Sequence, residues 1–122
     1  MKEIINTSLA PKPGGHFSQA TKKNNTVYVA GQAPVDIKTG KVPETIEEQT
    51  RVALTNVKNV LEAAGGRLED VVKVNTYLTN LDDFEIYDKV YQEFFTDNLP
   101  ARTTIGCDLK GIPLEIDAIA EL

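Results

Sequence analysis

The sequence predicts an α+β fold in which one sheet is covered on one face by two helices. Strand-like and helix-like segments follow in the order strand, strand, helix, strand, helix, strand, strand, which gives five or six strands and two helices. The chain of 122 residues and 13.4 kDa fits one domain, spanning residues 1–122. Because two helices can cover only one face of such a sheet, the second, half-apolar face predicts association with copies of the same chain.

The beginning of the chain predicts a loop followed by a hairpin. Two prolines and two glycines fall within residues 7–16, a density of breakers that is typical of a loop. Strand-like runs follow at about 17–21 and 26–30. Asn24 and Asn25 lie between them and tolerate the positive φ that a tight hairpin turn needs.

The clearest helix is predicted over residues 45–64. Thr45 and Glu48 have the spacing of a capping box, in which a hydroxyl and a carboxylate satisfy free backbone amides reciprocally. Gly65 and Gly66 end the helix, because glycine accepts the left-handed conformation after the last turn. The apolar residues form one stripe at helical spacing: Ile46, Ala53, Leu54, Val57, Val60, Leu61 and Ala64.

Three later strands are predicted at 71–78, 102–107 and 114–121. In the first, simple alternation places Val72 on the same face as Val74. In the last, the apolar side chains share one face, while two acids and an isoleucine share the other.

A second helix is predicted from Asp82 or Asp83, as its cap, to about Thr96. Its apolar stripe consists of Phe84, Tyr87, Val90, Tyr91, Phe94 and Phe95. A stripe this rich in aromatic residues indicates the side of the helix that faces the core.

Composition excludes several classes of function. The chain carries 13 basic and 18 acidic residues, a net charge of −5, which argues against a nucleic-acid partner because phosphate is repelled. No run approaches the ~20 apolar residues of a membrane span. The amino-terminal residues lack the pattern of a signal peptide, and a lone Cys107 excludes an intrachain disulfide. We therefore expect a cytoplasmic protein with no membrane partner.

Metal and nucleotide chemistry are also not expected. One histidine and one cysteine fall short of the usual set of zinc ligands, and the chain contains neither a Gly-x-Gly-x-x-Gly motif nor a P-loop. A Cys–His dyad of His16 and Cys107 is disfavoured, since Cys107 falls inside a predicted strand. The expected chemistry uses carboxylates, an arginine, hydroxyls and backbone amides.

Two charged residues stand out as candidates for that chemistry. Arg102, one of three arginines, starts a strand beside hydroxyl-bearing residues, where a guanidinium suits bidentate capture of a carboxylate. A structural salt bridge is the alternative interpretation. Glu115 stands in an apolar strand although glutamate has low strand propensity. It is either a solvent-exposed strand acid or a general base that orients a water molecule.

Five segments in series carry a resemblance to a known family. They are residues 15–20 (GHFSQA), 30–35 (AGQAPV), 56–65 (NVKNVLEAAG), 99–104 (LPARTT) and 115–120 (EIDAIA). With these segments in order, nearly the whole chain closely resembles the Rid family, also called the YjgF/YER057c/UK114 family, which includes enamine/imine deaminases.

The resemblance implies a fold, an assembly and an activity. It implies a chorismate-mutase-like α+β fold, with a six-stranded mixed sheet and two helices on one face. It also implies a homotrimer whose sheets form a central barrel, with three clefts between subunits. The implied activity is hydrolysis of 2-imino or 2-enamino acids, such as 2-iminobutanoate and 2-iminopropanoate, to 2-oxo acids and ammonia. The implied ligand is thus a small 2-imino or 2-oxo acid, and no metal or cofactor is implied.

The resemblance also implies roles for individual residues. Arg102 matches the arginine that binds the substrate carboxylate, and Glu115 matches the glutamate that positions water. Thr104 matches a position whose backbone amide helps to bind substrate. The remaining substrate-binding positions are Phe17, Ala30, Gly31 and Asp88.

Three of those positions depart from the common pattern of the family. Phe17 stands where tyrosine is usual, Ala30 where serine is frequent, and Asp88 where an asparagine is found. Each lost neutral hydrogen bond weakens binding or turnover by about 0.5–1.5 kcal/mol. A non-enzymatic trimer that binds a small molecule or a protein in the same cleft is the main alternative function. Ribonuclease activity or inhibition of translation is a second one, which the negative charge argues against.

Overall fold

One six-stranded sheet organises the molecule, in a computed structural model that describes all 122 residues. The strands are β1 (Glu3–Ile5), β2 (Ala20–Lys23), β3 (Thr26–Gln32), β4 (Val71–Leu78), β5 (Ala101–Gly106) and β6 (Leu114–Glu121), and the helices are α1 (Ile46–Ala63) and α2 (Phe84–Phe94). The spatial order is β1-β2-β3-β6-β4-β5. All neighbours are antiparallel except β4 and β5, so the sheet is mixed and the predicted α+β fold is confirmed.

The amino-terminal hairpin forms, although its strands have different limits from those predicted. Phe17 lies outside β2, and β3 continues to Gln32 through an irregularity in its pairing with β6. Asn24 takes the expected positive φ of 54° in the turn. Strand β1 was not predicted, because its three residues are too few to show a period. It forms by pairing with β2.

Helix α1 begins and ends as its sequence predicts, with one exception. Thr45 is the N-cap and accepts a hydrogen bond from the Glu48 amide at 3.2 Å. The prediction that the Glu48 carboxylate accepts in turn from the backbone amide of Thr45 is wrong. That carboxylate instead pairs with Arg51, one turn further along the helix. Gly65 has a φ of +89°, and the Gly66 amide donates to the Leu61 carbonyl at 2.9 Å, which closes the helix.

Strand β4 contains a bulge that the alternation of its sequence does not reveal. Its pairing with β6 shifts between Val71 and Lys73, so one extra residue enters the strand there. Val71 and Val74 are both buried, whereas Val72 is 47 % exposed. The prediction that Val72 shares a face with Val74 is therefore wrong.

Helix α2 is shorter than predicted and has a different cap. Asn80 caps a short 3₁₀ turn over Leu81–Asp83 by accepting from the Asp82 amide at 2.9 Å, and Asp83 makes no side-chain cap. The helix ends at Phe94 rather than Thr96, since the chain becomes extended at the next residue. The aromatic stripe faces the core, as predicted.

The two faces of the sheet differ in what covers them. Both helices pack on one face, where the alternate side chains of β6 that begin with Leu114 are fully buried. On the opposite face, Tyr28 and Ile105 are 50 % and 45 % exposed. No helix is both long enough and apolar enough to cross a membrane.

Candidate functional site

Arg102 projects from β5 toward the helices. It pairs with Val74 of β4, whose side chain is buried on the helix-facing side. One guanidinium nitrogen, Nη1, donates to Oδ1 of Asp88 on α2 at 2.7 Å. The Arg102 and Asp88 side chains are 23 % and 30 % exposed, so this ion pair is only partly screened by solvent.

Three aromatic rings of α2 surround the same guanidinium. Its central carbon lies 4.5 Å from the ring centroid of Tyr91, and 5.5 Å from those of Phe84 and Tyr87. Partial burial lowers the pKa of Arg102, but the hydrogen bond to Asp88 and the charges of nearby acidic groups outweigh it, leaving that pKa above its ordinary value. The aromatic stripe therefore holds a cation as well as forming core, and its spacing alone did not predict this.

Two hydroxyl groups in this region have no hydrogen-bond partner in the chain. They are Oη of Tyr91 and Oγ1 of Thr104, both buried. Burial raises the pKa of Tyr91 to about 12, so its hydroxyl stays protonated and can donate. Buried hydroxyls are normally paired, and one left alone costs about 1–3 kcal/mol. Tyr91 also lines the cavity beside Arg102, whereas Thr104 does not.

A cavity of about 640 Å³ opens beside Arg102. Its lining consists of Asp88, Tyr91, Gln92, Phe95, Thr96, Leu99, Pro100 and Arg102. A larger cleft of about 770 Å³, lined by residues such as Lys58 and Arg67, contains none of the predicted site residues. The smaller cavity combines a cation, an acid and aromatic walls, which is the composition expected of a small-molecule site.

Glu115 lies on the opposite face of the sheet. It pairs with Tyr77 of β4, an odd number of positions from the residue that pairs with Arg102. A Cβ atom on Gly31 would overlap the Glu115 carboxylate, so a larger residue there would displace the Glu115 side chain from its present position. Burial raises the pKa of Glu115, and the charge of Asp117 raises it further.

A hydrogen-bonded group on this face holds Asp117 in place. Its two carboxylate oxygens accept from Tyr77 Oη at 2.7 Å and from Asn75 Nδ2 at 3.0 Å. The bond to Asp117, assisted by burial, raises the pKa of Tyr77 to about 12. Sequence reasoning missed this group, because its members come from two strands that are distant in the chain and meet only through strand pairing.

Phe17 and Ala30 lie near a separate surface depression of about 420 Å³. Phe17 is 53 % exposed, and the Ala30 amide donates to the Gln19 carbonyl at 2.9 Å. The predicted residues thus lie in three places within one chain, and this depression is one of them. Arg102, Asp88 and Thr104 lie at the helix side of β5, while Glu115 lies beside Gly31 on the open face.

The ion pair with Asp88 also bears on the alternative interpretation of Arg102 as a structural partner. Arg102 does pair with a protein acid, but through a single nitrogen, and that is the one hydrogen bond its guanidinium makes. Arginine carries five N–H donors, so most remain free for another acceptor. No cluster of three or more histidine, cysteine, aspartate or glutamate side chains could hold a metal ion.

The fold and the site together define a class of protein. It is a small α+β sheet protein in which a partly paired arginine lies beside a cavity with aromatic walls. The family model described as Endoribonuclease L-PSP matches residues 7–122. The chain is 46 % identical over 123 residues to a RutC family protein of Pyrococcus horikoshii, covering 98 % of each chain. It is 43 % identical over 121 residues to a 2-iminobutanoate/2-iminopropanoate deaminase of Dermatophagoides farinae, covering 97 % of this chain and 94 % of that one.

The solved structures agree with the sequence comparisons. The crystal structure of RidA from an Antarctic Psychrobacter species superposes with a TM-score of 0.94 at 38 % identity, covering 98 % of this chain and 99 % of that one. The chain therefore belongs to the Endoribonuclease L-PSP family, whose members include the RutC and Rid proteins.

Proposed function

We propose that this protein hydrolyses reactive 2-imino or 2-enamino acids, such as 2-iminobutanoate and 2-iminopropanoate, to 2-oxo acids and ammonia. The observation that carries the proposal is the guanidinium of Arg102, bound to protein through one nitrogen and facing a cavity of about 640 Å³. The 43 % identity to a protein named for this activity supports the choice of substrate.

Arg102 binds the substrate carboxylate. Its free donors present a planar fork that matches the two oxygens of a carboxylate, and the rings of Tyr91 and Tyr87 hold that fork in position. The backbone amide of Thr104 supplies a further donor, and the unpaired Tyr91 hydroxyl is free to bind the substrate. Such a charge-assisted contact contributes about 1.5–3 kcal/mol.

Glu115 holds and activates the attacking water, and it does so from a neighbouring copy of the chain. Arg102 and Glu115 lie on opposite faces of one sheet, so the two act on one substrate only where copies meet. We infer a homotrimer in which the open face of one copy meets the β5 edge of the next. Phe17, Ala30 and Gly31 then complete the wall of each cleft on the Glu115 side.

The reaction proceeds by addition and elimination. The water oxygen bonds to C2 of the protonated imine while its proton passes to the Glu115 carboxylate, giving a carbinolamine. Glu115 then returns the proton to the nitrogen. Ammonia leaves as the carbinolamine hydroxyl gives its proton to the Glu115 carboxylate and the C2 carbonyl forms; Glu115 then releases that proton to solvent. An iminium carbon is already electrophilic, so positioning supplies most of the acceleration. A raised pKa helps Glu115 to carry the proton between the two steps.

A coupled assay tests the reaction directly. A serine/threonine dehydratase generates the imine, semicarbazide traps it, and the rate of semicarbazone formation is followed with and without this protein. We expect the protein to lower the trapped fraction and to accelerate formation of the 2-oxo acid, and the variant Arg102→Ala to do neither. Equal trapping with and without the wild-type protein would refute the proposal.

The alternative is a trimer that binds a small molecule without converting it. The pairing of Arg102 with Asp88 favours it, because an acid beside the cation reduces its pull on a substrate carboxylate. Binding of a 2-oxo acid with no acceleration of imine hydrolysis would select this alternative. The description of the family model names an endoribonuclease, but a net charge of −5 disfavours RNA as substrate.

A further inference from the structure

We propose that Asp88 sets the charge preference of the cavity, so that it favours a zwitterionic ligand over an anionic one with the same carbon skeleton. The inference rests on the proposed function, in which a carboxylate binds to Arg102. It goes further in naming the protonated imine as the preferred form and the 2-oxo acid product as the disfavoured one.

The geometry places the Asp88 charge inside the cavity rather than behind the arginine. Asp88 and Arg102 both line the same space of about 640 Å³. One oxygen, Oδ1, accepts from Arg102 at 2.7 Å, and the other accepts from Gln92 at 3.2 Å. With both charged side chains at least two thirds buried, a ligand a few ångströms away interacts with each of them under weak screening.

The net charges of substrate and product differ by one. A protonated 2-imino acid carries a carboxylate and an iminium, so its net charge is zero, whereas the 2-oxo acid carries the carboxylate alone. An isolated arginine would bind the anion at least as well as the zwitterion. The Arg102–Asp88 pair is neutral overall, so Asp88 repels the anionic product and attracts the cationic nitrogen of the substrate. Asp88 thereby promotes release of the product.

Position and charge can be separated at Asp88. The guanidinium is also held by the rings of Phe84, Tyr87 and Tyr91, so its placement does not depend on Asp88 alone. In Asp88→Asn, the side-chain oxygen can still accept from Arg102 while the negative charge is lost. Glu85→Gln is the matched control, because it removes a charge from an exposed position of the same helix that does not line the cavity.

Isothermal titration calorimetry with two stable probes tests the proposal on the full chain. The probes are 2-oxobutanoate, an anion, and L-2-aminobutanoate, a zwitterion with the same carbons. We expect Asp88→Asn to bind 2-oxobutanoate about tenfold more tightly, and L-2-aminobutanoate no more tightly than the wild type does. Glu85→Gln and the charge-retaining Asp88→Glu should keep the wild-type ratio of affinities. If Asp88→Asn does not fold, Asp88→Ala removes the same charge.

The proposal is overturned if charge removal changes both affinities by the same factor or changes neither, or if the wild type binds neither probe. Imine hydrolysis on the same wild-type preparation separates this result from the proposed function. If the wild type hydrolyses the imine but Asp88→Asn has the same ratio of affinities for the two probes as the wild type, the role of Asp88 is refuted and the proposed reaction is not. A shifted ratio without hydrolysis would support the charge preference and refute the reaction.

Discussion

Arg102 and Glu115 lie on opposite faces of one sheet, because their partners on β4, Val74 and Tyr77, are an odd number of positions apart. Side chains alternate between the faces of a strand, so no rotamer change brings the two groups together within one chain. If both act on the same substrate, they must come from different copies.

Complementation between inactive variants tests this directly. Arg102→Ala and Glu115→Gln should each retain at most about a tenth of the wild-type activity alone. When the two are unfolded, mixed in equal amounts and refolded, about a quarter of the clefts of a cyclic trimer should combine an intact arginine with an intact glutamate, and activity should return to that extent. Sedimentation equilibrium should give about 40 kDa, three times the chain mass of 13.4 kDa. A mixture as inactive as its components, or a stable monomer, would refute a cleft that combines Arg102 of one copy with Glu115 of another.

Substitution of Arg102 should separate charge from geometry. Arg102→Ala should lower imine hydrolysis at least ~10-fold and up to about 100-fold, and Arg102→Lys should recover only part of it, since a lysine binds as a point charge. Because Arg102→Ala leaves Asp88 unpaired and partly buried, the single variant should also melt at a lower temperature than the wild type. The double variant with Asp88→Asn should regain that stability without regaining activity. Normal hydrolysis by Arg102→Ala would eliminate the carboxylate-binding role.

Glu115→Gln should make the protein more stable and less active. Burial raises the pKa of Glu115, so its charged form is disfavoured in the folded state. Its contribution to stability is complete below the ordinary pKa and is lost as pH rises through the raised value. The glutamine variant should therefore melt at a higher temperature than the wild type at pH 7, and the difference should shrink as the pH falls toward 4.5, the ordinary pKa. Turnover should fall about 100-fold or more, as for loss of a general base. Unchanged turnover would leave Glu115 as an ordinary strand acid.

Two tyrosines should respond oppositely to loss of their hydroxyl groups. Tyr77 donates to Asp117, so Tyr77→Phe should lower the free energy of unfolding by about 1.5–3 kcal/mol, the range for a hydrogen bond to a charged group. Tyr91 has no partner, so Tyr91→Phe should leave stability unchanged or raise it, while weakening the binding of 2-oxobutanoate. Chemical denaturation and calorimetry on both variants measure the contrast. Equal destabilisation by the two would show that Tyr91 is paired in solution.

The raised pKa of Tyr77 gives a prediction for alkaline pH. The pKa of Tyr77 is raised to about 12, so its contribution to stability is present below pH 10 and is lost as the pH rises toward 12. The stability difference between wild type and Tyr77→Phe should therefore narrow over that interval, as followed by denaturant titrations at successive pH values. A difference that is constant from pH 9 to 12 would contradict the bond to Asp117 as its source.

Local signals in the sequence were sufficient for much of the fold. Helix α1 combines a hydroxyl cap, a stripe of apolar residues and two terminal glycines. Each of these signals depends only on residues that are close together in the chain. From Leu114 to Ala120, strand β6 alternates between buried and half-buried side chains, so its period of two could be recognised in the sequence. The candidates Arg102 and Glu115 stood out by themselves, as a strand-start arginine and as an acid inside an apolar strand.

Contacts between distant segments decided the rest. Short β1 exists only through its pairing with β2, and the bulge that exposes Val72 depends on the register against β6, which no local period encodes. Only the fold placed Arg102 against Asp88 and the α2 rings, while directing Glu115 to the other face. Residue type and spacing determined which groups could do chemistry here. Which of them meet was decided by strand pairing, because that pairing joins positions far apart in the chain.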